Sequence, residues 1–122
     1  MKNRPFKIPG LWLLDRSGAV KIDPGRITYC YHNKDVTRIV YSGGYHTSVQ
    51  VPLKKLEDKL RRENFFRCHR NYLINLDHAS EGTFENGFLK FPGRQIVPVA
   101  RRKKARLLLM LDRIVREGGV SA

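Results

Sequence analysis

The chain has 122 residues, 41% of them hydrophobic, which suits a single domain with one modest core and leaves no room for a second folded unit beside it. Lys and Arg number 24 against 11 Asp and Glu, a formal net charge of +13. Self-repulsion of that size disfavours compaction and is tolerated where the partner is a polyanion, so nucleic acid leads over an anionic membrane surface or an acidic protein.

The first ten residues hold Pro5, Pro9 and Gly10 and are expected to form an irregular N-terminal arm. Lys2, Arg4 and Lys7 imitate a basic leader, but Pro9-Gly10 and Asp15-Arg16 interrupt any apolar stretch, so no targeting segment is read. Leu11 to Leu14 reads as a short strand or one helical turn, followed by a turn at Arg16-Ser17-Gly18 and an apolar piece from Ala19 to Ile22. Residues 27 to 51 read as three strands in series. Ile27, Tyr29 and Tyr31 alternate with Thr28, Cys30 and His32; Val36 to Tyr41 resumes the pattern; Ser42-Gly43-Gly44 turns the chain into a strand marked by Tyr45, Thr47, Val49 and Val51.

The period then changes. Leu53, Leu56 and Leu60 recur at three and four residues among charged neighbours, predicting an amphipathic helix from just after Pro52 to near Asn64. Phe66 to Cys68 and Tyr72 to Ile74 read as strands around a basic bend. Thr83 to Phe91 predicts a hairpin, because Asn86-Gly87 suits the left-handed positions of a type I′ turn. Gln95 to Val99 predicts a further strand, at an edge or terminus because Pro98 cannot donate to a ladder. Helical spacing returns from Arg101 to Glu117, with Leu107, Met110, Leu111 and Ile114 as one apolar stripe expected to cover the domain's own sheet. Gly118-Gly119 ends it and opens a tail over residues 118–122. The fold class is mainly β, one domain over residues 11–117, with a short helix in the middle and a helix at the C-terminus.

The charge is unevenly placed. No acidic residue occurs from Asn86 to Leu111, where Lys90, Arg94, Arg101, Arg102, Lys103, Lys104 and Arg106 all fall. A solvated helix face normally mixes signs at three- and four-residue spacing, which the run from Arg101 to Arg106 does not. That run also opens a helix, where the dipole disfavours cations, and a phosphate backbone offsets both penalties. A second concentration comprises Arg61, Arg62, Arg67 and Arg70.

Other chemistry finds little footing. His32, His46, His69 and His78 lack metal-site spacing, and no nucleophile elbow, phosphate loop, dinucleotide fingerprint or zinc-protease helix occurs. No enzyme activity, metal or cofactor is expected. Cys30 and Cys68 are too few for a disulfide scaffold, so reduced thiols in a soluble cytoplasmic protein are expected. An RNA-binding or ribosome-associated β-protein is the alternative that charge alone would serve equally well.

The segment Phe65-Phe66-Arg67-Cys68-His69-Arg70-Asn71-Tyr72-Leu73-Ile74-Asn75 resembles the signature of the LytTR DNA-binding domain. Val97-Pro98-Val99-Ala100-Arg101-Arg102 resembles that family's last strand and the arginine loop after it, and Pro52 to Leu60 resembles the helix that precedes the signature. Asn71 and Ala100 stand where serine is frequent in the family. The resemblance implies elongated antiparallel sheets and a bacterial transcription regulator whose loops enter successive major grooves of double-stranded DNA at direct repeats, with two copies side by side. It implies base contacts at Arg70 and Arg101, and at a third loop near Asn33 and Lys34. Phosphate contacts are expected from Arg67, Asn71, Arg94, Arg102, Lys103 and Lys104, with His69 and Asn75 as structural supports.

Overall fold

The structure, a computed structural model, describes residues 10–118, so the expected arm and tail, but for Gly10 and Gly118, lie outside the described residues. Strands β1 (Leu11–Asp15) and β2 (Gly18–Ile22) form a hairpin in which Leu11 faces Ile22 and Asp15 faces Gly18. The Asp15 carboxylate accepts from the Ser17 N–H at 3.0 Å and closes the turn. Leu11 to Leu14 is therefore a strand: Leu13 turns into the core while Trp12 and Leu14 face out, 66% and 64% exposed. Trp12 and Tyr45 both stand in solvent, because Trp12 falls on the outward phase of β1 and Tyr45 follows the turn between β4 and β5.

A 3-10 turn at Pro24–Arg26 leads into β3 (Ile27–Asn33), β4 (Val36–Tyr41) and β5 (His46–Val49). Helix α1 (Leu53–Lys59) follows, then β6 (Phe65–His69) and β7 (Tyr72–Asn75). These strands make one antiparallel sheet in the order β5-β4-β3-β7-β6. Helix α1 stops at Lys59, short of the predicted Asn64: Leu60 caps it, and Arg61 to Asn64 turn the chain so that Phe65 can pair with Asn75. A one-turn helix α2 (Leu76–Ala79), not predicted, leads to β8 (Thr83–Glu85), β9 (Phe88–Lys90) and β10 (Ile96–Pro98). These three form a second sheet in which β10, carrying Pro98, is an edge. Asn86 and Gly87 both adopt positive φ, 54° and 81°, as a type I′ turn requires. Arg101–Lys103 form a 3-10 turn, and helix α3 (Lys104–Gly118) begins three residues later than predicted.

The five-stranded sheet has a core on each face. On one, Cys30, Ile39 and Leu73 meet Leu53, Leu56 and Leu60 of α1 and Leu13 and Ile22 of the first hairpin. On the other, Phe66, Cys68 and Ile74 meet Leu89, Phe91 and Val97 of the second sheet and Leu107 of α3. A bulge between Ile27 and Tyr29 shifts the phase of β3, so Ile27 joins the first core and Tyr29 the second. Met110, Leu111 and Ile114 of α3 pack on the second core, whereas Leu108, Leu109 and Val115 face solvent. Each aliphatic side chain fully buried this way contributes about 1.5–3 kcal/mol. No described helix is long and apolar enough to cross a membrane.

Both cysteines are free thiols, one in each core. Burial raises both above the ordinary thiol range, Cys68 to about 12 against weaker opposing pulls from its hydrogen bonding, Lys103 and Arg67. Because the thiolate is the nucleophile, the native chain should resist alkylation by iodoacetamide at pH 8, and both thiols should react once it is denatured. Mass spectrometry checks this; rapid native labelling of Cys30 would mean that the first core opens easily.

Candidate nucleic-acid interface

Topology gathers the basic loops. Strands β3 and β7 run antiparallel with Tyr31 opposite Tyr72, so the β3–β4 turn at Lys34-Asp35 and the β6–β7 bend at Arg70-Asn71 lie side by side at one end of the sheet. The His32 N–H donates to the Asn71 carbonyl at 3.0 Å and ties the two together. A third segment arrives from the second sheet: the Ala100 N–H donates to the Cys68 carbonyl at 2.8 Å, which delivers Arg101 beside the bend. The Val99 N–H donates to the Gly87 carbonyl at 3.0 Å, so the Asn86-Gly87 turn joins the same end.

The bend is held from within. His69 Nδ1 accepts from the Asn71 N–H at 3.1 Å, which places the proton of the neutral ring on Nε2. The imidazole meets the edge of Tyr72 with centroids 5.5 Å apart, and Tyr72 in turn stacks on Tyr31 at 5.5 Å. Alternation along β6 sends Phe66 and Cys68 into the second core and Arg67 to the side of α1. There Arg67 pairs with Glu57 of α1 at 2.8 Å, donates from Nε to the His69 carbonyl at 3.2 Å, and donates from a terminal nitrogen to the Arg70 carbonyl. The Arg67 fork is thus engaged inside the protein, and it is the planar geometry of arginine that lets one side chain reach all three acceptors. Glu57, a charged helix residue like its neighbours in sequence, gave no local sign of this role.

Arg70 is left exposed, and its guanidinium makes no ion pair or hydrogen bond among the described residues. Arg101, Arg102 and Lys104 are exposed and Lys103 half-buried, and none meets a carboxylate among the described residues. Lys103 Nζ lies 5.6 Å from the Phe66 ring centre and Lys104 Nζ 5.7 Å from the Phe84 ring centre, so each ammonium sits over an aromatic face. Arg101 and Lys104 line a cleft of about 470 Å³ with Asn86 and Phe84. Asn86, read in the sequence only as a turn residue, therefore belongs to this end as well. Asn33 is half-buried at the end of β3, and Lys34 is exposed with φ 57°. Asp35 beside it is the acid in these loops.

Two expected residues lie elsewhere. Arg94 occupies the β9–β10 turn, and because β8, β9 and β10 form an antiparallel meander, that turn sits at the opposite end of the second sheet from Asn86-Gly87. The fold therefore does not bring Arg94 together with the cations of the basic loops. Asn75 is at the far end of β7 from the bend, 3% exposed. Its Nδ2 donates to the carbonyls of Ile27 at 2.8 Å and Pro24 at 3.4 Å, while its Oδ1 accepts from the Asp77 N–H at 2.9 Å and caps α2. Its support goes to the frame of the domain, not directly to the basic loops.

The chain is 31% identical over 85 residues to the sensory transduction protein LytT of Oceanobacillus iheyensis, an overlap of 66% of this chain and 35% of that relative. It thus spans about a third of the relative's length. Among solved structures, a LytTr DNA-binding domain from Bacillus cereus superposes with a TM-score of 0.66 over 84% of this chain and 95% of that one, at 18% identity, a likeness of fold. The family model of the LytTr DNA-binding domain matches residues 17–112, from the turn of the first hairpin well into α3 and across every basic loop described above. The chain belongs to the LytTR family of DNA-binding domains.

Proposed function

We propose that the chain reads duplex DNA sequence-specifically as part of a transcription regulator, with the 69–71 bend and the segment at 100–101 entering successive major grooves and the 33–36 turn alongside them. Arg70 and Arg101 take the base-contact roles, Lys34 and Asn33 the third loop, and Asn71, Arg102, Lys103 and Lys104 the phosphates. The observation that carries this reading is the pair of backbone hydrogen bonds, His32 to Asn71 and Ala100 to Cys68, that fix the basic loops against one another while Arg70 and Arg101 remain uncommitted. Loops locked at a fixed separation can match groove spacing, and an unpaired guanidinium matches the O6 and N7 acceptors of guanine. One copy offers one such set of loops, so direct repeats would be met by two copies side by side. RNA binding through stacked bases is disfavoured, because Phe66 is buried and Tyr72 already stacks on Tyr31.

Selection from a random duplex library tests the reading; failure to enrich any motif would sink it. The electrostatic part is tested by salt. With about six phosphates neutralised, log affinity should fall against log salt with a slope of about −5. Replacing Lys103 and Lys104 with Gln should make that slope shallower by roughly two and weaken all duplexes alike. A slope near zero in the wild-type chain would reject phosphate contact as the source of affinity.

A further inference from the structure

The end of the domain opposite the basic loops carries a cavity of about 590 Å³ between the β4–β5 turn, α2 and the β9–β10 turn. That volume lies within the range of about 300–1,000 Å³ usual for small-molecule sites. Its walls include Thr28, Ser42, Asp77, His78, Glu81 and Phe91.

Thr28 is 3% exposed and faces this space. Its hydroxyl makes no side-chain hydrogen bond among the described residues, yet it is not sealed: the sealed polar side-chain atom lacking a partner is Nε of Arg38. A hydroxyl that faces the cavity without a side-chain partner is free to bond to a ligand there. The rest of the polar wall is biased toward accepting. His78 Nε2 donates to the Gly25 carbonyl at 2.8 Å, so in the neutral ring Nδ1 is the acceptor. Ser42 Oγ, 3.5 Å from that nitrogen, can direct its own hydrogen toward it and turn its oxygen outward. Asp77 accepts from the Asn64 side chain at 3.1 Å and has acceptor capacity left. Neither Asp77 nor Glu81 forms an ion pair among the described residues, in a chain where cations outnumber acids 24 to 11. Arg94 follows the cavity's Gly93 but does not line it.

Carboxylates without an ion pair and hydroxyl oxygens free to accept, beside the apolar Phe91 and Pro92, favour a ligand that donates hydrogen bonds and carries positive charge on a short apolar body. The geometry points to a binding site for a small organic cation, an alkylammonium or alkylguanidinium compound, between Thr28, Ser42, Asp77 and Glu81. The site is at the end of the domain away from Arg70 and Arg101, so it stands or falls independently of base reading.

The test is a titration of the ¹⁵N-labelled chain with agmatine, with 1,4-butanediol as the neutral control of similar length. Agmatine should give saturable shifts concentrated at Thr28, Ser42, His78 and Gln95, and the diol should give none. Glu81→Gln, at an exposed position, and Thr28→Val, close in shape to the original, should each weaken agmatine binding by roughly tenfold, whereas Arg70→Ala should leave it unchanged. If Thr28→Val fails to fold, Glu81→Gln decides. Absent or non-saturating shifts, shifts centred on other acids such as Asp112, equal binding of the diol, or indifference to Glu81→Gln would each overturn the assignment.

Discussion

Replacing Arg70 and Arg101 together with alanine should leave the domain folded and still attached to DNA, but nearly unable to tell its site from a scrambled duplex. Both side chains are exposed, and neither forms an ion pair among the described residues whose loss would destabilise the protein. A good bidentate pair with guanine supplies about 1–3 kcal/mol of discrimination, and contributions at separated positions add approximately. The double variant should therefore lose specificity by roughly 30-fold to 10⁴-fold. Competition between the selected duplex and a scrambled one, at fixed salt, measures this directly. Arg70→Lys sharpens the comparison, since lysine keeps the charge and loses the planar fork: non-specific affinity should hold while discrimination falls. A loss of equal size on both duplexes would mean that these arginines contact phosphate, and that base reading happens elsewhere.

The legibility of this interface in the sequence divides along a physical line. Features encoded locally were readable: the Asn86-Gly87 turn needs φ values that Asn and Gly supply, the Leu53-Leu56-Leu60 spacing is that of one helical face, and the alternation in β3 marks a strand. The basic run from Arg101 to Lys104 was also visible, because charge requires no partner to be noticed. What escaped depends on contacts between distant elements. Helix α2 is four residues long, too short to announce itself by period, and exists because Asn75 caps it while Leu76 and Ala79 are buried in the second core. Arg94 looked like part of one basic stretch, but two antiparallel reversals carry it to the other end of the sheet. Arg67 is the most instructive case. In one dimension it is another cation beside Arg70; alternation along β6 turns it toward α1, and only there does Glu57, ten residues back, become its partner.

That inward turn has a measurable consequence. Arg67→Ala removes the partner of a half-buried Glu57 and the donor to two carbonyls of the bend. With Glu57 and Arg67 side chains 35% and 23% exposed, solvent screens part of the loss, so the expected cost in stability is modest, about 1–2 kcal/mol by denaturant unfolding. The larger effect should fall on DNA: a bend free to sample other conformations presents Arg70 correctly only part of the time, and specific affinity drops in proportion to that fraction, by roughly tenfold or more. Arg67→Lys separates the two possible roles. An ammonium can still meet Glu57, yet as a compact point charge it cannot hold the carboxylate and both carbonyls together. Stability should return most of the way to wild type, while the Asn71 amide continues to exchange faster and discrimination stays impaired. Were Arg67 a phosphate contact, lysine would instead restore binding to every duplex and leave Asn71 exchange unchanged.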